Sequence, residues 1–71
     1  MRLHYYAETD ILYIELSARQ SAETRAVAEG VNIDLDADGA IVGLGIDDAS
    51  RKLDLTTIET VALPAKATRA A

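Results

Sequence analysis

Val31-Asn32-Ile33-Asp34-Leu35-Asp36, Ala37-Asp38-Gly39 and Ala40-Ile41-Val42-Gly43-Leu44-Gly45-Ile46 decide the fold. The first run alternates strictly between apolar and polar side chains, the period of a half-buried strand. Ala37-Asp38-Gly39 is a turn signal, because glycine adopts the positive φ that tight turns demand. The last run is the return strand. Val31, Ile33 and Leu35 are therefore expected to share a face with Val42, Leu44 and Ile46, leaving Asn32, Asp34, Asp36, Ile41, Gly43 and Gly45 on the other. Two glycines at alternate positions expose a strip of backbone, which predicts a bulge or the close approach of another element or another chain.

A second hairpin precedes it. Leu3 to Tyr6 and Ile11 to Leu16 are strand-like and flank the polar break Ala7-Glu8-Thr9-Asp10. Alternation puts Leu12, Ile14 and Leu16 on one face and Ile11, Tyr13 and Glu15 on the other. The aliphatic sides of the two ribbons are expected to stack together. Ser17 to Ser21 is a polar loop, while Ala22 to Ala28 is compatible with a helix or a third strand, the strand being preferred for Thr24 and Val27. Beyond the second hairpin, Asp48 or Ser50 is a candidate cap for a short helical turn through Arg51-Lys52-Leu53. Leu55 to Leu63 carries a capping-box pattern, Thr56 to Glu59, but its β-branched Thr57, Ile58, Thr60 and Val61 favour a final strand ended by Pro64. The expectation is one mainly β domain (small α+β) over residues 1–63, with antiparallel hairpins in one sheet and a short helical turn, followed by a disordered tail over 64–71.

The whole chain has 71 residues, 49% hydrophobic and 27% charged, which suits a single folded domain. It has no cysteine, so disulfides and thiolate metal sites are excluded. Twelve acids against seven Lys and Arg give a net charge of -5, unsuited to coating phosphate backbones, so no nucleic acid partner is expected. No stretch is long and apolar enough to span a membrane or to act as a signal segment, which makes a cytoplasmic domain with no membrane partner the expectation. A chain this small buries only about 60% of its unfolded surface. With no Trp or Phe to enlarge the core, it is expected to form a homo-oligomer. Tyr6, Tyr13 and Ile41, flanking the bare Gly43 and Gly45 strip, are the candidate contact between copies, since tyrosine offers a large apolar area with a polar tip.

Three further features bear on chemistry. Asp34-Leu35-Asp36-Ala37-Asp38-Gly39 matches the first half of a calcium loop, making Asp34, Asp36 and Asp38 candidate metal ligands. The bidentate glutamate required at loop position twelve is replaced by Gly45, and strands flank the motif where helices belong, so a hairpin with solvated carboxylates is the preferred reading. Between Ala26 and Ser50 lie six acids and no Lys or Arg: Glu29, Asp34, Asp36, Asp38, Asp47 and Asp48. Such a run is ordinarily a solvated face that protects a strand edge; functionally it would dock a basic partner. His4 is the lone histidine, with no nucleophile elbow or phosphate-binding glycine loop to accompany it. No catalytic residue and no cofactor is expected.

The order of Asp10-Ile11-Leu12-Tyr13-Ile14, Gly30 to Gly39, Ile41 to Ile46 and Asp48-Ala49-Ser50 resembles a small bacterial family catalogued as domain of unknown function 2283. The resemblance covers Leu3 to Leu53. Members usually carry glutamate at the place of Gly45 and an apolar residue at that of Asp47, and this chain departs at both. The resemblance implies a compact, mainly β fold and supplies no activity. Some relatives sit beside toxin-like genes, which would suit an antitoxin-like binding role. The expected function is a protein-interaction or self-assembling module, with a weak cation-binding or small-ligand domain as the alternative and an enzyme ranked last.

Overall fold

A computed structural model describes residues 1–69. Five strands, β1 (Arg2–Tyr6), β2 (Ile11–Glu15), β3 (Glu23–Ala28), β4 (Val31–Leu35) and β5 (Ile41–Ile46), form one antiparallel sheet in the order β1-β2-β5-β4-β3. One short helix, α1 (Ala49–Lys52), follows. The mainly β expectation is met, and Ala22 to Ala28 resolves as strand, paired with β4 through a shift between Ala26 and Ala28. Two turns take their form from glycine: Gly39, expected from the sequence, at φ 85 between β4 and β5, and Gly30 at φ 69 between β3 and β4.

The ribbons do not stack. They join edge to edge through β2 and β5, with Leu12 opposite Ile46 and Ile14 opposite Leu44. On the other side of β5, Val31 faces Ile46 and Ile33 faces Leu44. Directly opposed residues share a face, so the aliphatic rows of both ribbons lie side by side on one face of a single layer. Leu3 and Tyr5 extend those rows onto β1, opposite Ile14 and Leu12. The other face carries His4, Tyr13, Gly45 and Asn32 in one row and Glu15, Gly43, Asp34 and Thr24 in the next. A register shift between Asp34 and Leu35 sets Ile41 opposite Leu35, so Ile41 falls out of phase with the Gly43–Gly45 row to which alternation assigned it.

Cover for the aliphatic face comes from α1 and the segment after it. Ala49 is fully buried against Leu12 and Ile46, with Ile14, Leu44 and Leu55 partly buried around them. A methyl side chain lets the helical turn approach the sheet this closely. Asp48 stands at the start of α1 with φ 51 but makes no side-chain cap. The cap comes from the other hairpin: Ser50 donates its backbone N–H to Asp10 Oδ1 (3.0 Å) and its hydroxyl to Asp10 Oδ2 (2.7 Å). The Ala49 N–H is bonded to the Asp10 carbonyl, and the Asp47 N–H to that of Gly30. The β1–β2 and β3–β4 turns thus hold α1 over one end of the sheet.

The final strand expected over Leu55 to Leu63 is absent, and residues 53–69 contain no regular element. The β-branched residues supply propensity, but a strand also needs a partner, and no strand pairs with this segment. Of the tail expected over 64–71, residues 70 and 71 lie outside the described residues.

Candidate interaction surface

The two faces of the sheet have different chemistry. On the polar face, the Tyr13 side chain reaches from β2 across β5 to β4, and its hydroxyl donates to Asp34 Oδ2 at 2.5 Å. Asp34 Oδ1 accepts from the Thr24 hydroxyl on β3 at 2.6 Å. One carboxylate therefore links three strands, β2, β4 and β3, across the intervening β5. The crossing is possible because residue 43 is glycine: a Cβ there would overlap the Tyr13 hydroxyl and lie 2.7 Å from the ring carbon bearing it. The bare strip is covered by a tyrosine of the same chain. Gly45 is less constrained, since a Cβ there would meet Tyr13 Cδ1 at an ordinary 3.7 Å. A side chain at position 45, where the resemblance places glutamate, therefore has room on this face.

The bond to Asp34, with burial and the carboxylate charge adding to it, pushes the Tyr13 hydroxyl up to about 12. The Thr24 and Tyr13 hydroxyls hold Asp34 below the usual carboxylate range against a smaller opposing effect of burial. Tyr13 is thus a protonated donor and Asp34 an ionised acceptor at neutral pH, a structural pair in their stable states. His4 sits on the exposed edge strand, with its Nδ1 3.0 Å from the Tyr6 hydroxyl and the two rings edge-to-face at 5.0 Å.

The calcium-like motif comes apart in the fold. Asp34 serves the tyrosine network. Asp36 turns inward and organises the β4–β5 turn, its Oδ1 accepting the Asp38 and Ala40 N–H groups, each at 2.9 Å. Its Oδ2 takes Arg19 at 3.0 Å. The Ala40 N–H, followed by Arg19, holds the Asp36 carboxyl below its ordinary value. Asp38 remains exposed. Among the described residues no group of three His, Cys, Asp or Glu is placed to hold a metal ion. The spacing of the three acids reflects strand alternation followed by an aspartate-stabilised turn. The acidic run is likewise divided: Glu29, Asp47 and Asp48 line a shallow depression together with Arg51 and Lys52, and the Lys52 ammonium donates to the Glu29 carbonyl at 3.2 Å.

Sequence reasoning placed Asp10 only in a turn. The structure makes it a tie between the hairpin and α1, accepting from Tyr5 at 2.8 Å as well as from Ser50. The Ser50 hydroxyl and then the Tyr5 hydroxyl hold Asp10 below the usual carboxylate range. The available signal was an aspartate just before a strand, a residue type that tolerates the left-handed φ of 54 seen here.

The aliphatic face is left unfinished. No large side chain in the described residues is fully buried. Leu3, Tyr5, Leu12, Leu53, Leu55 and Ile58 border a groove of about 450 Å³ beside β1. The accessible surface is 5878 Å², about 1,600 Å² more than the ~4,300 Å² expected of a folded monomer of 7.6 kDa. The radius of gyration, 13.0 Å, likewise exceeds the ~11 Å of a compact chain of this length. Of the five residues expected to join copies, Tyr13 and Gly43 are committed to the intramolecular crossing, Gly45 lies beside it, and Tyr6 and Ile41 are exposed.

No helix among the described residues is long and apolar enough to cross a membrane. No curated protein and no solved structure matches the chain. A family model does match residues 2–50, from the start of β1 through the whole sheet to the first two residues of α1. The chain belongs to the family described as protein of unknown function DUF2283.

Proposed function

We propose that this domain is a self-assembling protein-interaction module whose aliphatic sheet face is closed by a second copy, and that it performs no catalysis. The observation that carries this reading is a single-layer sheet whose aliphatic face leaves Leu3 and Tyr5 about half exposed. The excess of about 1,600 Å² per chain, shared between this face and the irregular segment after α1, is area that a homodimer burying roughly 2,000–5,000 Å² in total could draw on. The titratable groups support the non-catalytic part: Tyr13, Asp34, Asp36 and Asp10 are spent on hydrogen bonds that hold turns and strands together.

A basic, toxin-like partner draws less support, because two of the six acids are engaged within the sheet and its turn, and three others sit beside Arg51 and Lys52. A cation-binding role would need Asp34, Asp36 and Asp38 to converge, whereas Asp34 and Asp36 are engaged in separate networks and Asp38 is exposed. Light scattering on the purified chain is the test of self-assembly. A mass of at least twice 7.6 kDa is expected at micromolar concentration, and a single-chain mass with an intact β spectrum would overturn the reading.

A further inference from the structure

We propose that residues Thr56–Leu63 form an arm that crosses to a second copy and packs over Leu3 and Tyr5 on its β1 flank. The proposal rests on the self-assembly reading and names the contact that makes it. In the isolated chain the segment is an apolar strip without cover: Ile58 is 73% exposed, Val61 78% and Leu63 48%. Only Glu59 carries a charge within it. Ala62 has φ 57, a left-handed conformation that costs a residue with a Cβ on the order of 1 kcal/mol. Exposed β-branched residues in a strained backbone describe a segment whose partner lies elsewhere.

The groove beside β1 has the complementary deficit. Leu3 and Tyr5 belong to the aliphatic rows of the sheet, yet they remain 46% and 47% exposed, because α1 covers only the end of the sheet near Leu12 and Ile46. Ile58 borders this groove in its own chain without being buried by it. Each copy therefore carries one exposed arm and one flank that its own Leu53, Leu55 and Ile58 border but leave half-exposed. A two-fold exchange satisfies both with no third component, since an isologous interface uses the same two patches twice. The large side chains on both sides are apolar, with Asp54 at the border of the groove and Glu59 the one charge in the arm, so the contact depends on salt less than docking through the acidic run would.

The test uses the full chain. Ile58→Asp/Val61→Asp is expected to weaken self-association at least about 100-fold, the equivalent of roughly 2.7 kcal/mol, read as a fall to single-chain mass in light scattering with the β spectrum unchanged. The same chain has no cysteine, so Leu3→Cys and Val61→Cys proteins, mixed and oxidised, report geometry directly. A mixed disulfide in more than the random half of the cross-linked pairs is expected. A parent chain that associates while the double variant associates equally well, or cross-links that form only at random, would overturn the arm and leave self-assembly standing. A parent chain that is itself a monomer would overturn both. If the double variant loses its β spectrum, the cross-linking of the two single-cysteine proteins decides the matter.

Discussion

The two faces of this sheet solve the problem of a thin protein in opposite ways. The polar face is closed by its own atoms, with Tyr13 laid across Gly43 onto Asp34 and Thr24 holding the far oxygen. The aliphatic face has α1 at one end and a groove at the other. A face closed by hydrogen bonds within one chain is independent of concentration, whereas the proposed closure of the other face by a second copy would be stabilised by mass action. Groups of similar visibility in the sequence therefore differ in kind.

The largest effect is expected on the aliphatic side. Leu12→Ala removes the residue that meets Ile46 and Ala49 and should cost about 2–3 kcal/mol, the low end for a core leucine because the site is not fully enclosed. Urea midpoints measured at several protein concentrations check this. They should rise with concentration for the parent chain, and a midpoint independent of concentration would erase the contrast between the faces.

Next comes Gly43→Ala. Its Cβ displaces the Tyr13 ring and breaks the bond to Asp34, at a cost of about 2 kcal/mol from overpacking. In a Tyr13→Ala background the same change should be nearly neutral, which a double-mutant cycle would register as strong coupling.

Tyr13→Phe should cost about 1 kcal/mol, the worth of one hydrogen bond. Its signature is in the pH profile. The folded Tyr13 hydroxyl is raised to about 12, above the ~10 of an unfolded tyrosine. Its contribution is therefore complete below about pH 10 and is lost as pH climbs toward 12. Asp34, shifted the other way, contributes above the ordinary carboxylate range and loses that contribution as pH falls through its lowered folded value. Denaturation followed from pH 2 to 12 should show both limbs in the parent and a diminished alkaline limb in the phenylalanine variant.

The smallest effect has the opposite sign. Gly45→Ala adds a methyl at ordinary contact distance from Tyr13 and removes the entropic handicap of glycine in a strand, so it should stabilise by about 0.5 kcal/mol. Two glycines two residues apart would then respond in opposite directions, a difference readable in thermal midpoints.

The sequence by itself determined β1, β2, β4 and β5 and the turn at Gly39, because these follow from local rules: side-chain period, positive φ and the turn chemistry of Asp and Gly. It also announced a close approach at Gly43 and Gly45, which it assigned to contact between copies. Only the tertiary structure decided that the two hairpins join through β2 and β5, that Tyr13 fills the glycine strip, that Asp10 caps α1 from forty residues away in sequence, and that Leu55 to Leu63 finds no partner strand. Each of these depends on which distant segments meet, and propensity counts the residues of a strand without supplying its neighbour. The same physics divided the calcium-like triplet, since one residue pointing across the sheet and the next acid turned into a loop cannot share an ion, however regular their spacing.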